Sequence, residues 1–206
     1  MALLTGGFEA VRSMSFHACQ HSAERGELCL LLSQRAEIES HFFSTAFTCA
    51  SSGLGAGDSN SWDPEALRRV VINYPESLRD LCESLALLQT LPVLPDFVCI
   101  SLVDGLLPLG AGVGGDFGAQ ASVLHAAACI VDTAAYIAEH HKPVTVLVSS
   151  TNASFDHFFQ CLMKSDHKYV RLTAEPQPDG SLLCSSTEDQ RKTRILRHSA
   201  SAWEYC

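Results

Sequence analysis

The feature that most limits what this chain can become is an alternation of short apolar runs with stretches of helical periodicity. Residues 28–32 are five apolar positions introduced by Gly26. Residues 67–74 have a β-branched centre stopped by Pro75, residues 97–103 run straight into Asp104-Gly105, and residues 144–149 follow Pro143. Runs of this length and character are strands buried on both faces. Between them lie a helical stretch over residues 8–21 and a second opened by Ser77. The second has Asp80 in capping position and Leu78, Leu81, Cys82, Leu85 and Leu88 on one face. A third spans residues 119–141 with Leu124, Ala127, Val131, Ala134, Ile137 and Ala138 at helical intervals, and a fourth lies near residues 155–163. With a first short strand at residues 2–4, the order is that of an α/β fold whose mostly parallel sheet is covered by helices on both faces. Such sheets bind ligands at the carboxyl ends of their strands. The last quarter differs: strands near residues 169–173, 181–185 and 194–198, the first two joined by Asp179-Gly180, predict an antiparallel edge at the C-terminus.

A length of 206 residues with 47% hydrophobic and 18% charged composition gives one compact domain over residues 1–206. Its longest expected flexible loop, at about residues 37–62, is rich in Ser, Thr and Gly. No 18-residue uninterrupted apolar stretch offers a membrane span, and residues 1–5 lack the basic and apolar regions of a secretory signal, so an intracellular protein without a membrane partner is expected. The net charge of −9 argues against a general polyanion binder. Nine cysteines, an odd number without a C-x-x-C pair, read as reduced thiols, with no zinc ribbon and no metal site in this chain.

Six patterns bear on candidate chemistry. Gly6-Gly7-Phe8-Glu9-Ala10-Val11-Arg12-Ser13 follows the first strand where a Walker A phosphate loop would stand. Gly6, Arg12 and Ser13 keep parts of that pattern, but Val11 puts a β-branched side chain where glycine is needed. The strand ending at Asp104 resembles a Walker B element, which sets a carboxylate beside magnesium. Gly110–Gly115 contains G-x-G-x-x-G, yet it stands too far after its strand for a dinucleotide fingerprint. Arg191, Lys192, Arg194 and Arg197 crowd four of fourteen cations into seven positions, either a nucleic-acid contact or a charged edge strand. Phe43-Ser44-Thr45-Ala46 and Phe47-Thr48-Cys49-Ala50 both fit F-x-x-A, the short sequence with which RecA-type recombinases and their mediators dock, so Phe43, Ala46, Phe47 and Ala50 are candidate partner contacts. His17 and His21, one helical turn apart, lack two clear further ligands.

The run from Asp63 to Leu81, the strand into Leu102-Val103-Asp104-Gly105-Leu106, and Val131-Asp132-Thr133-Ala134-Ala135 together resemble the small RecA-like ATPase-type subunit of the animal Shu complex, a recombinase paralogue. The resemblance covers roughly residues 1–175 and rests on order and spacing. It implies a RecA-like P-loop NTPase core in a nuclear heterodimer with a SWIM-type zinc-finger protein, which would carry the metal. It further implies single-stranded DNA binding and support of recombinase filaments in homologous recombination. The family's nucleotide site would fall on Gly6, Arg12, Ser13 and Asp104. Since Val11 replaces the loop glycine, Arg12 replaces lysine, and Ser33-Gln34-Arg35 offer no carboxylate to activate water, hydrolysis of ATP with magnesium is not expected. An active ATPase of the same family and a small Rossmann-type enzyme are the alternatives.

Overall fold

The computed structural model describes residues 1–40, 64–107, 117–140, 143–163, 170–176, 182–186, 194–199 and 202–205. Its strands are β1 (Ala2–Gly6), β2 (Cys29–Leu32), β3 (Val70–Asn73), β4 (Phe97–Ile100), β5 (Thr145–Ser150), β6 (Val170–Pro176), β7 (Leu182–Ser186), β8 (Arg194–Ser199) and β9 (Ala202–Tyr205). They form one sheet in the order β3-β2-β4-β5-β1-β6-β7-β8-β9. The six strands from β3 to β6 are parallel, and β7, β8 and β9 continue antiparallel. The antiparallel edge is therefore where the sequence puts it, but one strand longer. β9 lies outside β8, so the basic strand is not the sheet's edge.

Helices flank the sheet, among them α1 (Phe8–Glu24), the single turn α2 (Pro64–Leu67), α3 (Leu78–Leu88), α4 (Phe117–His140) and α5 (Ala153–Met163). The strand pleat sorts the core into two layers. Leu3, Leu30, Leu32, Val98, Ile100, Val146 and Val148 point to the face packed by α3, α4 and α5. Leu4, Cys29, Leu31, Phe97, Cys99 and Leu147, their sequence neighbours, point to the face packed by α1. α4 includes a segment, Gln120–His140, long and apolar enough by composition to cross a membrane. Its apolarity has a use inside the fold: Val123, Ala126, Ala127, Ile130, Val131, Ala134 and Ile137 are buried in the first of these layers.

Local differences from the sequence reading have physical causes. Residues 35–40 are helical and Ile38 is buried, so the expected loop does not begin at residue 37. Its remainder, residues 41–62, lies outside the described residues. The run at residues 67–74 opens with α2 and a turn, and only Val70–Asn73 pair with β2. Ser77 does cap α3, accepting from the Asp80 N–H at 3.2 Å, while the Asp80 carboxylate accepts from the Glu76 N–H at 3.2 Å.

Candidate functional site

The carboxyl ends of β1, β4 and β5 meet at one edge, with β5 between the other two. At β1 the chain turns directly into α1: Gly6 ends the strand, Gly7 is the N-cap, and Phe8 is already helical. Six of the eight residues aligned with a phosphate loop, Phe8 to Ser13, are thus helix. The expectation of a loop over Gly6–Ser13 is corrected to a one-residue link. Gly6 is at φ +149°, and a Cβ there would stand 2.1 Å from the Ala174 carbonyl oxygen, so β6 packs where the link would otherwise bulge. Val11, the substituted glycine, is fully buried against the sheet. Its N–H already bonds the Gly7 carbonyl at 2.9 Å.

Arg12 is held sideways. Its guanidinium pairs with Glu9, donates to Ser40 Oγ at 3.0 Å, reaches Glu37 at 4.0 Å and lies 5.6 Å over the Phe8 ring. Ser13 is the next residue of the same helix, half-buried.

Asp104 does not end a strand as the sequence suggests. β4 stops at Ile100, Leu102 takes a left-handed conformation at φ 49°, and Asp104 sits in the 3₁₀ turn Val103–Leu106 that follows. The turn is pinned from β5, where Ser149 Oγ accepts from the Leu102 N–H at 2.8 Å and meets Ser15 Oγ of α1 at 3.0 Å. One Asp104 oxygen accepts from Ser150 Oγ at 2.8 Å and from the Asn152 N–H at 3.1 Å. The other accepts from Thr151 Oγ1 at 2.8 Å and from the Thr151 N–H. Four donors fill the lone-pair sites of one carboxylate. Gln34, after β2, closes the turn from the far side by donating to the Gly105 carbonyl at 2.6 Å.

Reading the sequence missed the rest of this cluster. Asp156, in the first turn of α5, is buried, and its Oδ1 has no hydrogen-bond partner among the described residues. Burial, with the Asp104 charge adding to it, pushes its carboxyl up to about 6 against the opposing influence of Ser150 and Arg171. The available signal was Asn152: a side-chain acceptor just ahead of an apolar helix, it caps α5 by accepting from the Phe155 N–H at 3.1 Å.

Magnesium-bound ATP does not fit these residues. A phosphate cradle needs a run of free backbone N–H groups bent around the anion, and a Walker B acid needs an oxygen to spare. The link after β1 is one residue long, and Asp104 spends both oxygens on residues 150–152.

The other candidates are not brought to this edge by any described contact. Arg194 and Arg197 are on β8, in register with Cys184 and Glu204 respectively. Arg191 and Lys192 lie outside the described residues, as do Phe43, Ala46, Phe47 and Ala50 and the glycines of 110–115. His17 and His21 stack at 6.4 Å on α1, with no third ligand-bearing side chain joining them among the described residues.

No protein-family model matches this chain, and no curated protein matches it. Solved structures do. A KaiC-like protein, PH0186, from the hyperthermophilic archaeon Pyrococcus horikoshii OT3 is 11% identical at a TM-score of 0.57, covering 100% of this chain and 88% of its own. The RadB recombinase is 12% identical at a TM-score of 0.57, covering 98% of this chain and 89% of its own. The likeness is one of fold: this chain has a RecA-like α/β core, mostly parallel, with an antiparallel edge at its C-terminus.

Proposed function

We propose that this chain is a non-hydrolysing RecA-like adaptor of homologous recombination. It pairs with a SWIM-type zinc-finger protein in the nucleus, supports recombinase filaments and contacts single-stranded DNA. The observation that carries the adaptor reading is the Asp104 carboxylate, whose four hydrogen bonds turn the position of a magnesium ligand into an internal tie. The fold shared with a recombinase, RadB, and the sequence resemblance to the Shu-complex subunit support recombination as the setting. Phe43 and Phe47 are the proposed recombinase contacts, and Arg191, Lys192, Arg194 and Arg197 the proposed phosphate contacts.

The test is reconstitution. Co-expressed with the SWIM-type protein, the chain should co-purify with it, and the pair should bind single-stranded DNA with a salt dependence set by the basic cluster. Replacing the four cations by alanine should flatten the log–log salt slope by about 0.7 for each lost contact. Failure to co-purify overturns the partner, and an unchanged slope overturns the DNA surface.

A further inference from the structure

A second cluster lies between two helices. α3 and α4 pack through Leu78, Leu81 and Leu85 on one side and Val123, Ala126 and Ile130 on the other. Beside that seam is an open cavity of about 470 Å³ where Leu78 and Ala86 stand with Cys82, Ser122, His125 and Cys129. His125 and Cys129 are one helical turn apart on α4, which puts them on one face, and Cys82 comes from α3. One ligand atom from each of the three lies within 4.8 Å of the others, and Cys129 Sγ is 3.7 Å from His125 Nε2.

These separations can be set against metal chemistry. Two thiolates and an imidazole at about 2.3 and 2.0 Å from a tetrahedral ion stand about 3.6–3.8 Å apart. His125 and Cys129 are already at that separation, and Cys82 needs to close by no more than about 1 Å, a side-chain adjustment. Two sulfurs and one nitrogen are a poor donor set for magnesium or calcium, which take oxygen, and a good one for zinc.

We propose that Cys82, His125 and Cys129 bind a zinc ion that clamps α3 to α4. The fourth coordination position opens to the cavity, where water completes the tetrahedron. Binding exchanges the two thiol protons for the ion: each Cys S–H bond gives way to a Zn–S bond and the protons leave to solvent, with no change of oxidation state. The site is independent of the recombination reading. It also revises the expectation that this chain carries no metal site, because its third ligand comes from a different helix and leaves no sequence motif.

Cobalt tests it directly, since tetrahedral thiolate–cobalt centres absorb strongly. The full chain, reduced and stripped by a chelator, should take up one equivalent of Co²⁺ with intense visible bands and a thiolate-to-cobalt charge-transfer band, both bleached by one equivalent of Zn²⁺. His125→Ala, at an exposed position, should keep the metal-free fold and lose roughly tenfold or more in affinity. Cys82→Ser with Cys129→Ser should abolish the charge-transfer band. Added zinc should raise the thermal midpoint of the wild type in a concentration-dependent way and leave that of the double variant unmoved. The proposal is overturned by a wild-type chain that shows no thiolate–cobalt band. An unaltered spectrum in the double variant, or a Cys82–Cys129 disulfide in chain purified without oxidant, overturns it as well.

Discussion

The two turns that flank β5 are closed by opposite means. After β1 the closure is steric: Gly6 lies against the Ala174 carbonyl and Val11 fills the space beneath α1. After β4 the closure is polar, one carboxylate gathering four donors from residues 150–152. In a nucleotide-binding RecA-like protein the corresponding places would meet phosphate and magnesium. Here packing occupies the first and internal hydrogen bonds occupy the second. The comparison teaches that two turns at one edge of a sheet can be closed by different physics, steric contact at one and hydrogen bonding at the other.

The largest effect expected from breaking this comparison is at the steric turn. Gly6→Ala adds a Cβ against backbone that has nowhere to go, at a φ that L-residues avoid, and should cost about 3–5 kcal/mol in denaturant unfolding. A loss under 1 kcal/mol would mean that the turn is soft enough to open.

Next comes the polar turn. Asp104→Ala strands the buried Ser150 hydroxyl and leaves the half-buried Asn152 N–H without its acceptor, while the exposed Thr151 donors rehydrate, and should destabilise by about 1–3 kcal/mol. A carboxylate kept for magnesium would behave in the opposite way, because removing it relieves its repulsion with Asp156. A stabilised Asp104→Ala variant would therefore restore a metal-binding role.

Asp156 sharpens the polar half further. Its folded pKa lies above its unfolded value, so the folded state binds more protons between about pH 4 and pH 6. Stability falls as pH rises through that window and stays lowered above it. The rise from 3.8 to about 6 corresponds to at most about 3 kcal/mol, and relaxation around the charged carboxylate brings the expected cost to about 1–2 kcal/mol. Asp156→Asn should gain that much at pH 7.5 and lose the wild-type slope between pH 4 and 6, read from unfolding midpoints across the range. An unchanged slope would place the charge elsewhere.

The smallest effect is expected from Arg12→Ala. Its ion pairs with Glu9 and Glu37 involve partners in contact with water, so the cost should stay at or below about 1 kcal/mol. Co-purification with the SWIM-type partner should not change.

These predictions rest on features of unequal legibility. The parallel sheet was plain in the sequence because strands buried on both faces must be apolar throughout, as Cys29–Leu32 and Phe97–Ile100 are. The α3 cap was plain because Ser77 and Asp80 are local. Asp104 stood out as a residue and was misplaced as an element, since nothing in Leu102 announces a left-handed turn and the bond that fixes it comes from Ser149, 47 positions away. Asp156 is ordinary in a helix and becomes notable only through burial beside Asp104. β9 went unread because Ala202–Tyr205 is short and carries a charge at Glu204. Cys82 and the His125–Cys129 pair are separated by more than forty residues, so only the packing of α3 on α4 unites them.

The central claim, a RecA-like core whose nucleotide site has been replaced from within, is tested most directly by calorimetric titration of the purified chain with ATP and magnesium, followed by a turnover assay. The expected result is no binding in the micromolar range and no phosphate release above that of buffer. Micromolar affinity with magnesium-dependent turnover, lost in Arg12→Ala, would contradict it and make the chain an active ATPase.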